Sequence, residues 1–133
     1  MSKPKPMSML AIVVDCHDSR SQADWWAAVL DHDVSERNVD EYEVSSPSSG
    51  RTPLYFMNVP EPKTVKDRLH IDLTTEESLE DGVARLVAMG ATLVGLRQDP
   101  ATLAHPDTWA VLQDPEGNEF CLFNVETVTG LAG

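Results

Sequence analysis

Leu10-Ala-Ile-Val-Val-Asp15 and Leu69-His-Ile-Asp-Leu-Thr74 are two similar stretches of this sequence. Each leads into a run in which apolar residues recur at helical spacing. The two stretches keep a constant offset, because Ala11 lies 59 residues before His70. A strand–helix unit that recurs at a fixed spacing predicts a fold made of two similar halves. Such halves commonly enclose a cleft, and a cleft is a natural place for a ligand.

The composition is that of one globular domain with its own core: 133 residues, 41% hydrophobic and 24% charged. The formal net charge of −12 disfavours nucleic acid and anionic membrane as partners, since both need clustered Lys and Arg. No apolar run approaches the ~18 residues of a membrane span, and Met1 to Met7 lacks the apolar core of a signal peptide. Cys16 and Cys121 alone do not make a disulfide framework, so we predict a reduced, cytoplasmic setting.

The order of elements predicted for each half is β-α-β-β-β. In the first half the helix begins at a capping box of Ser19 and Gln22, and strands are expected at 9–15, 34–37, 41–45 and 54–59. In the second half the helix follows a capping box of Thr74 and Glu77, and strands are expected at 68–74, 92–97, 108–113 and 118–123. Asp114-Pro-Glu-Gly117 predicts a type I turn with glycine in the left-handed position. We therefore expect one domain over 9–125, with modules 9–60 and 66–125, a flexible N-terminal tail 1–8, a loop over 98–107 and a C-terminal tail 126–133.

Two strands of the second half carry polar side chains on the face away from the helix. Side chains alternate across a strand, so this face of the first strand holds His70, Asp72 and Thr74. The matching residues of the first half are Ala11, Val13 and Asp15. In the last strand, one face is shared by Glu119, Cys121 and Phe123. A central strand that is polar on the side away from its helix suggests a cavity that holds water or a ligand.

His70, Glu119 and Cys121 resemble a metal-binding set, because imidazole, carboxylate and thiolate all bind divalent metals. This interpretation requires the three side chains to converge in space. Each also has a structural alternative: a hydrogen-bonded histidine, a solvated carboxylate at a strand start, and a small buried hydrophobic residue. Trp109 has the same alternative of plain core packing.

Three stretches together resemble the vicinal oxygen chelate superfamily: Trp25-Trp-Ala-Ala-Val-Leu30, Lys66-Asp-Arg-Leu-His-Ile-Asp-Leu73 and Asp114-Pro-Glu-Gly-Asn-Glu-Phe-Cys-Leu122. The similarity covers residues 9–125 and is greatest to the glyoxalase-like branch of the glyoxalase, bleomycin resistance protein and dioxygenase family. The resemblance implies an α+β fold, in which two βαβββ modules form an open barrel-like mixed sheet around a cavity. It also implies a homodimer.

The resemblance implies a position for metal ligands on the first and last strand of each module. His70 and Cys121 fall on the two positions of the second module. Ala11, which cannot bind a metal, stands on the first-strand position of the first module, and the last-strand position falls near Phe56 or Met57. The metal of such enzymes is a Lewis acid that stabilises an enolate or a similar oxyanion. We hypothesise that the cavity persists in this chain and that the usual metal site does not.

Three functions are open at this point. The first is a lyase or isomerase acting on a small organic molecule, with His70 as general base or ligand and Glu119 as its acid/base partner. The second is a non-catalytic protein of bleomycin-resistance type that sequesters a small molecule, and the third is a structural or regulatory dimer. For the first two, the walls of the ligand pocket are expected to be Ala11, Val13, Met57, Asp72, Trp109, Cys121 and Phe123.

Overall fold

The structure is a computed structural model that describes residues 3–98 and 108–126. The chain divides into two compact units, Met1–Pro62 and Lys63–Gly133, which we call the first and the second module. Residues 3–10 are exposed and have no regular secondary structure. The predicted loop at 98–107 and C-terminal tail at 126–133 lie almost entirely outside the described residues. No helix in the described ranges combines the length and the apolar character that a membrane span needs.

The first module is a helix on a four-stranded sheet. Its elements are β1 (Ile12–Cys16), α1 (Ser19–Leu30), β2 (Asp33–Asn38), β3 (Glu41–Ser45) and β4 (Leu54–Asn58). The strand order is β1-β4-β3-β2. β1 and β4 are parallel, and the other two pairs are antiparallel.

The second module repeats this arrangement. Its elements are β5 (Ile71–Thr75), α2 (Leu79–Ala88), β6 (Thr92–Gln98), β7 (Thr108–Gln113) and β8 (Glu119–Asn124). The strand order β5-β8-β7-β6 is that of the first module, again with one parallel pair, β5 and β8. β5 begins and ends 59 residues after β1. The α+β class and the two βαβββ modules predicted from the sequence are therefore confirmed.

Both helices begin at residues other than those predicted. The N-cap of α1 is Asp18, whose Oδ1 accepts a hydrogen bond from the Ser21 backbone N–H at 3.1 Å. The N-cap of α2 is Ser78, whose Oγ accepts one from the Asp81 N–H at 3.1 Å. The predicted caps were wrong because Ser19 is already helical and Thr74 still belongs to β5, so each helix is capped by a nearby oxygen-bearing residue outside those elements.

The first strand of each module is shorter than predicted at its beginning. The expected strands 9–15 and 68–74 start only at Ile12 and Ile71. In the first module, Ile12 N–H donates to the Pro53 carbonyl at 3.1 Å, and Leu54 is the first residue of the partner strand. Ala11 and His70 therefore each lie one residue before the paired strand. The strands at 41–45 and 108–113 have the predicted bounds.

Each sheet has one apolar face that packs against its helix. In the first module, the most deeply buried side chains of this face are Val44 and Phe56, and α1, which contributes the buried Ala23 and Trp26, packs against β3 and β4. In the second module the face holds Thr75, Ala110, Leu112, Phe120 and Leu122, all buried. Gly82 of α2 lies so close to this face that a β-carbon there would be 3.0 Å from Leu122 and 3.1 Å from Thr75.

The turn between β7 and β8 has the predicted form and sets the start of β8. Gly117 has φ +89° and its N–H donates to the Asp114 carbonyl at 2.8 Å. The Asp114 Oδ1 accepts hydrogen bonds from the N–H groups of Glu116 at 2.9 Å and Asn118 at 3.0 Å. A buried carboxylate thus holds the turn, and the alternation along β8 then fixes which face Cys121 occupies.

Candidate functional site

The face of the second sheet opposite α2 holds the candidate site, and we call it the open face. Thr75 and Leu122 touch α2, so the residues that alternate with them point away from the helix. Strand register arranges these residues in two cross-strand rows. One row is Asp72, Cys121, Val111 and Gly95, and the other is Thr74, Phe123, Trp109 and Arg97.

His70, Asp72 and Cys121 form a polar cluster at one edge of the open face. The potential ligand atoms of the three side chains all lie within 4.8 Å of one another. His70 Nδ1 is 3.0 Å from Asp72 Oδ1, and Asp72 is the register partner of Cys121. His70 and Asp72 are exposed and Cys121 is buried. The structure thus brings together two predicted residues with Asp72, which the sequence suggested only as a pocket wall.

The hydrogen bond between His70 and Asp72 fixes how the imidazole is presented. A carboxylate only accepts hydrogen bonds, so Nδ1 is assigned the proton and donates it to Asp72. Nε2 then carries a lone pair that can accept a proton. Because the His70 side chain is 43% exposed, this nitrogen belongs to a group that a small molecule can reach.

Cys121 is held as a neutral thiol. Burial raises the pKa of the Cys121 thiol, and the negative charge and hydrogen-bond acceptance of Asp72 raise it further. The positive charges of Lys66 and Arg97 act in the opposite direction and do not prevail. Because the thiolate is the nucleophilic and metal-binding form, Cys121 is a weak nucleophile at neutral pH.

Glu119 lies on the same strand face but is engaged elsewhere. Its Oε1 accepts a hydrogen bond from Lys63 Nζ at 3.0 Å, and its Oε2 accepts one from the Asp67 N–H at 3.0 Å. Burial opposes ionisation, but these hydrogen bonds prevail and lower the pKa of Glu119 to about 2. A carboxylate that is ionised throughout the neutral range is a poor proton donor. The expected acid/base role of Glu119 does not fit this environment, in which it fastens the 63–67 segment to β8.

Trp109 and Phe123 form a stacked aromatic pair on the open face. They are register partners on β7 and β8, with ring centroids 5.7 Å apart and ring planes inclined by 21°. Both are half-buried, so part of each ring lies at the surface. The pair offers an apolar surface in the row next to the polar cluster.

The first module carries different residues at the corresponding positions. Val13 pairs with Tyr55 as Asp72 pairs with Cys121, so the counterpart of Cys121 is Tyr55. Neither of the two expected residues occupies this position. Phe56 is fully buried on the helix side of the sheet, and Met57 pairs with Asp15, two residues after Val13 on β1. The Tyr55 hydroxyl accepts a hydrogen bond from Arg37 Nη1 at 3.1 Å.

The sequence model of the glyoxalase-like domain matches residues 11–123, which is most of the chain. The chain belongs to the glyoxalase-like domain family. A search of curated proteins gives no match. The resemblance to the vicinal oxygen chelate superfamily is confirmed by this match and by many structural neighbours from the glyoxalase, bleomycin resistance and dioxygenase group.

Solved structures similar to this glyoxalase-like domain share its fold at low sequence identity. An enzyme of the glyoxalase/bleomycin resistance protein/dioxygenase family from Burkholderia phytofirmans is 22% identical, with a TM-score of 0.64, and the match covers 87% of this chain and 97% of that enzyme. The fosfomycin resistance protein FosX from Listeria monocytogenes, solved with Mn(II) and 1S,2S-dihydroxypropylphosphonic acid, is 11% identical, with TM-score 0.68 over 97% and 100%. Lactoylglutathione lyase from Agrobacterium tumefaciens is 10% identical, with TM-score 0.61 over 92% and 96%.

The polar cluster offers a partial set of metal ligands. Imidazole, carboxylate and thiolate together suit a cation of borderline softness such as Zn²⁺, which His70, Asp72 and Cys121 would hold. A cation bound there would act as a Lewis acid on a ligand oxygen. It would also have to displace the thiol proton of Cys121. Ala11 adds no donor, so the set differs from the one that the superfamily resemblance implies.

Proposed function

We propose that this glyoxalase-like domain binds a small organic molecule on the open face and that His70 exchanges a proton with it, as in a lyase or isomerase. The observation that carries the proposal is the 3.0 Å hydrogen bond between His70 Nδ1 and Asp72. It orients the imidazole, assigns the base to Nε2 and places a negative charge beside the imidazolium that forms when the base takes a proton.

The neighbouring residues support binding of a molecule with an apolar part. Trp109 and Phe123 supply a half-buried aromatic surface in the adjacent row. Cys121 contributes a neutral thiol, and Asp72 acts through His70 as a positioning residue. We assign Glu119 to holding the 63–67 segment, because both of its oxygens are occupied. Ala11, Val13 and Met57 stay the proposed pocket residues of the first module.

The second candidate is a protein that sequesters a small molecule without changing it. It is favoured by the first module, where Ala11 and Val13 stand at the positions of His70 and Asp72 and bring no titratable group. Among similar structures, one is named as a lyase and another as a fosfomycin resistance protein, so the shared fold does not by itself separate the two candidates. Product analysis separates the two candidates.

The test starts from a metabolite thermal-shift screen, followed by product analysis of each hit. His70→Ala should abolish turnover and weaken binding of the hits, while the Tm changes by no more than about 1–2 °C, since the side chain is largely exposed. His17→Ala, which alters an exposed histidine of the first module, is the matched control and should leave turnover and binding unchanged. A large loss of Tm in His70→Ala without any effect on the hits would identify a structural histidine and refute the proposal.

We also propose a cytoplasmic homodimer. The compartment is supported by Cys16 and Cys121, which are both buried and form no disulfide among the described residues. The dimer is supported by the family resemblance, and light scattering at micromolar concentration tests it. A monomeric mass would overturn it.

A further inference from the structure

We propose that the ligand of the open face is an organic anion, a carboxylate or phosphoryl compound with a planar apolar part, and that the Arg97 guanidinium holds its anionic group. This inference rests on the proposed function, because it names the chemical class of the molecule that the open face binds. It is carried by the position of Arg97 relative to Gly95, Trp109 and Phe123.

The Arg97 side chain turns back over its own strand onto the open face. A β-carbon built on Gly95 would lie 2.9 Å from Arg97 Nη1, so the guanidinium occupies the space that a side chain at 95 would fill. Gly95 is the register partner of Val111, and Val111 is the partner of Cys121. The guanidinium therefore lies on the row that ends at the polar cluster, although Arg97 itself belongs to the aromatic row.

The charge of this guanidinium is not neutralised within residues 3–98 and 108–126. Arg97 Nη1 donates to the Leu96 carbonyl at 3.1 Å, and no described carboxylate lies within 4.0 Å. Arg37 and Arg85, in contrast, pair with carboxylates at 2.8 Å and 2.6 Å. A guanidinium has five N–H donors in a planar fork that matches the oxygens of a carboxylate or phosphate.

The negative charges of the open face lie away from Arg97 or are already compensated. Asp72 is on β5, three strands from β6, and is bonded to His70. Glu119 is paired with Lys63. Cys121, the residue of this row between Asp72 and β6, is a neutral thiol. An anion beside Arg97 therefore meets no fixed negative charge in the part of the row built by β6, β7 and β8.

The spacing of the strands bounds the size of the ligand. Adjacent strands are about 4.8 Å apart, so β6 and β8 are separated by roughly 10 Å. A molecule of the size of benzoate is shorter than this separation, so with its carboxylate at Arg97 its ring would lie over Trp109, the register partner of Arg97 on the adjacent strand, and a larger ligand would be needed to reach the polar cluster. Aromatic rings stack well on such a pair, which is why we expect a planar apolar part.

The experiment uses three probes of one shape and different charge: benzoate, benzamide and benzamidine. Binding is followed by ¹H–¹⁵N NMR of the full chain, with the indole signal of Trp109 assigned from a Trp109→Phe variant. We expect benzoate to shift the Trp109 signal and to bind about tenfold more tightly than benzamide, as one charge-assisted contact allows. Benzamidine should bind least, although the net charge of −12 favours a cation.

Arg97→Gln should remove the preference for benzoate, whereas Arg20→Gln, at an exposed arginine on α1, should keep it. If benzamide binds as tightly as benzoate, or if Arg97→Gln keeps the preference, the anion inference is wrong and the proposed ligand face stands. If no probe shifts Trp109 but other signals move, the proposed face itself is wrong, and the inference falls with it. Absence of any shift at high millimolar concentration likewise overturns both.

Discussion

Replacing Glu119 by Gln should destabilise this glyoxalase-like domain without touching the imidazole of the candidate site. The carboxylate is 14% exposed and binds Lys63 Nζ and the Asp67 N–H, each at 3.0 Å. In the variant an amide N–H₂ group meets either the ammonium group or the backbone N–H, so one donor loses its acceptor. Such a loss at a largely buried site costs about 1–3 kcal/mol.

The lowered pKa of Glu119 gives a second value for the free energy that these hydrogen bonds contribute to folding. The pKa of Glu119 falls from 4.5 to about 2, because the hydrogen bonds to Asp67 and Lys63 outweigh burial. This shift corresponds to a ceiling of about 3.5 kcal/mol, at about 1.4 kcal/mol per unit. Since the Lys63 side chain is 23% exposed and partly screened by water, we expect about 2 kcal/mol.

The sign of the pH dependence follows from the direction of the shift. A depressed pKa stabilises the folded state above the unfolded-state pKa, near 4.5, and the contribution is lost as the pH falls toward 2. The difference in free energy of unfolding between the wild type and Glu119→Gln should therefore be full at pH 7 and shrink below pH 4.5. Wild type and variant differ at one side chain, so other titrating carboxylates cancel in the comparison.

The assay is urea unfolding followed by circular dichroism at pH 7 and at several pH values below 4.5. Glu61→Gln is the matched control, because Glu61 is an exposed loop carboxylate of the first module. If Glu119→Gln lowers the free energy of unfolding by no more than Glu61→Gln at pH 7, the hydrogen bonds of Glu119 to Lys63 and Asp67 contribute nothing to stability. A difference that stays constant down to pH 3 would refute the ionised-carboxylate account.

Three further predictions concern helix α2 and the metal. Ser78→Ala should lower the free energy of unfolding by about 1 kcal/mol, because helix α2 loses its N-cap. Thr74→Val, its control, should change the free energy of unfolding little. Equal losses of the two variants in urea unfolding would contradict the observed cap. Gly82→Ala should also lower the free energy of unfolding by about 1 kcal/mol in the same assay. The new methyl group would crowd the buried Leu122 and Thr75, and this steric cost should exceed the stabilisation from the higher helix propensity of alanine. A more stable variant would show that the sheet moves to accommodate the methyl group. Elemental analysis of protein purified without chelator should give far less than one divalent ion per chain, because a cation must displace the thiol proton of Cys121, whose pKa is raised, and Ala11 adds no further ligand. One tightly bound ion per chain would disprove this.

The sequence predicted the framework because the framework depends on local patterns. The 59-residue offset fixed both modules, and the apolar periodicities fixed the type of every element in the described chain. The capping-box pattern misplaced the starts of both helices. Asp18 and Ser78 compete as N-caps with Ser19 and Thr74, and a local pattern does not show which side-chain oxygen faces the free N–H groups of the helix.

The site was predicted only where strand alternation was sufficient. Alternation placed His70 and Asp72 on one face, and the cluster with Cys121 also required the register of β5 and β8. The contacts that engage Glu119 could not be predicted from the sequence, because its partner Lys63 lies 56 residues earlier in the chain. Arg97 was missed, because a register shift between Leu93 and Gly95 interrupts the alternation of side chains along β6. Nothing in the sequence shows that it folds back over Gly95.

The two modules differ in what they do with charge on the face away from the helix. In the first module, Arg37 binds Glu41 at 2.8 Å, lies 3.4 Å from Glu43 and donates to Tyr55. These charges satisfy one another, and such a network stabilises a sheet without offering a group to a ligand. In the second module, His70 is exposed and Arg97 has no described carboxylate partner. The helix-facing side chains are buried in both modules because they pack against a helix, whereas the opposite face carries a structural network in the first module and a candidate binding face in the second.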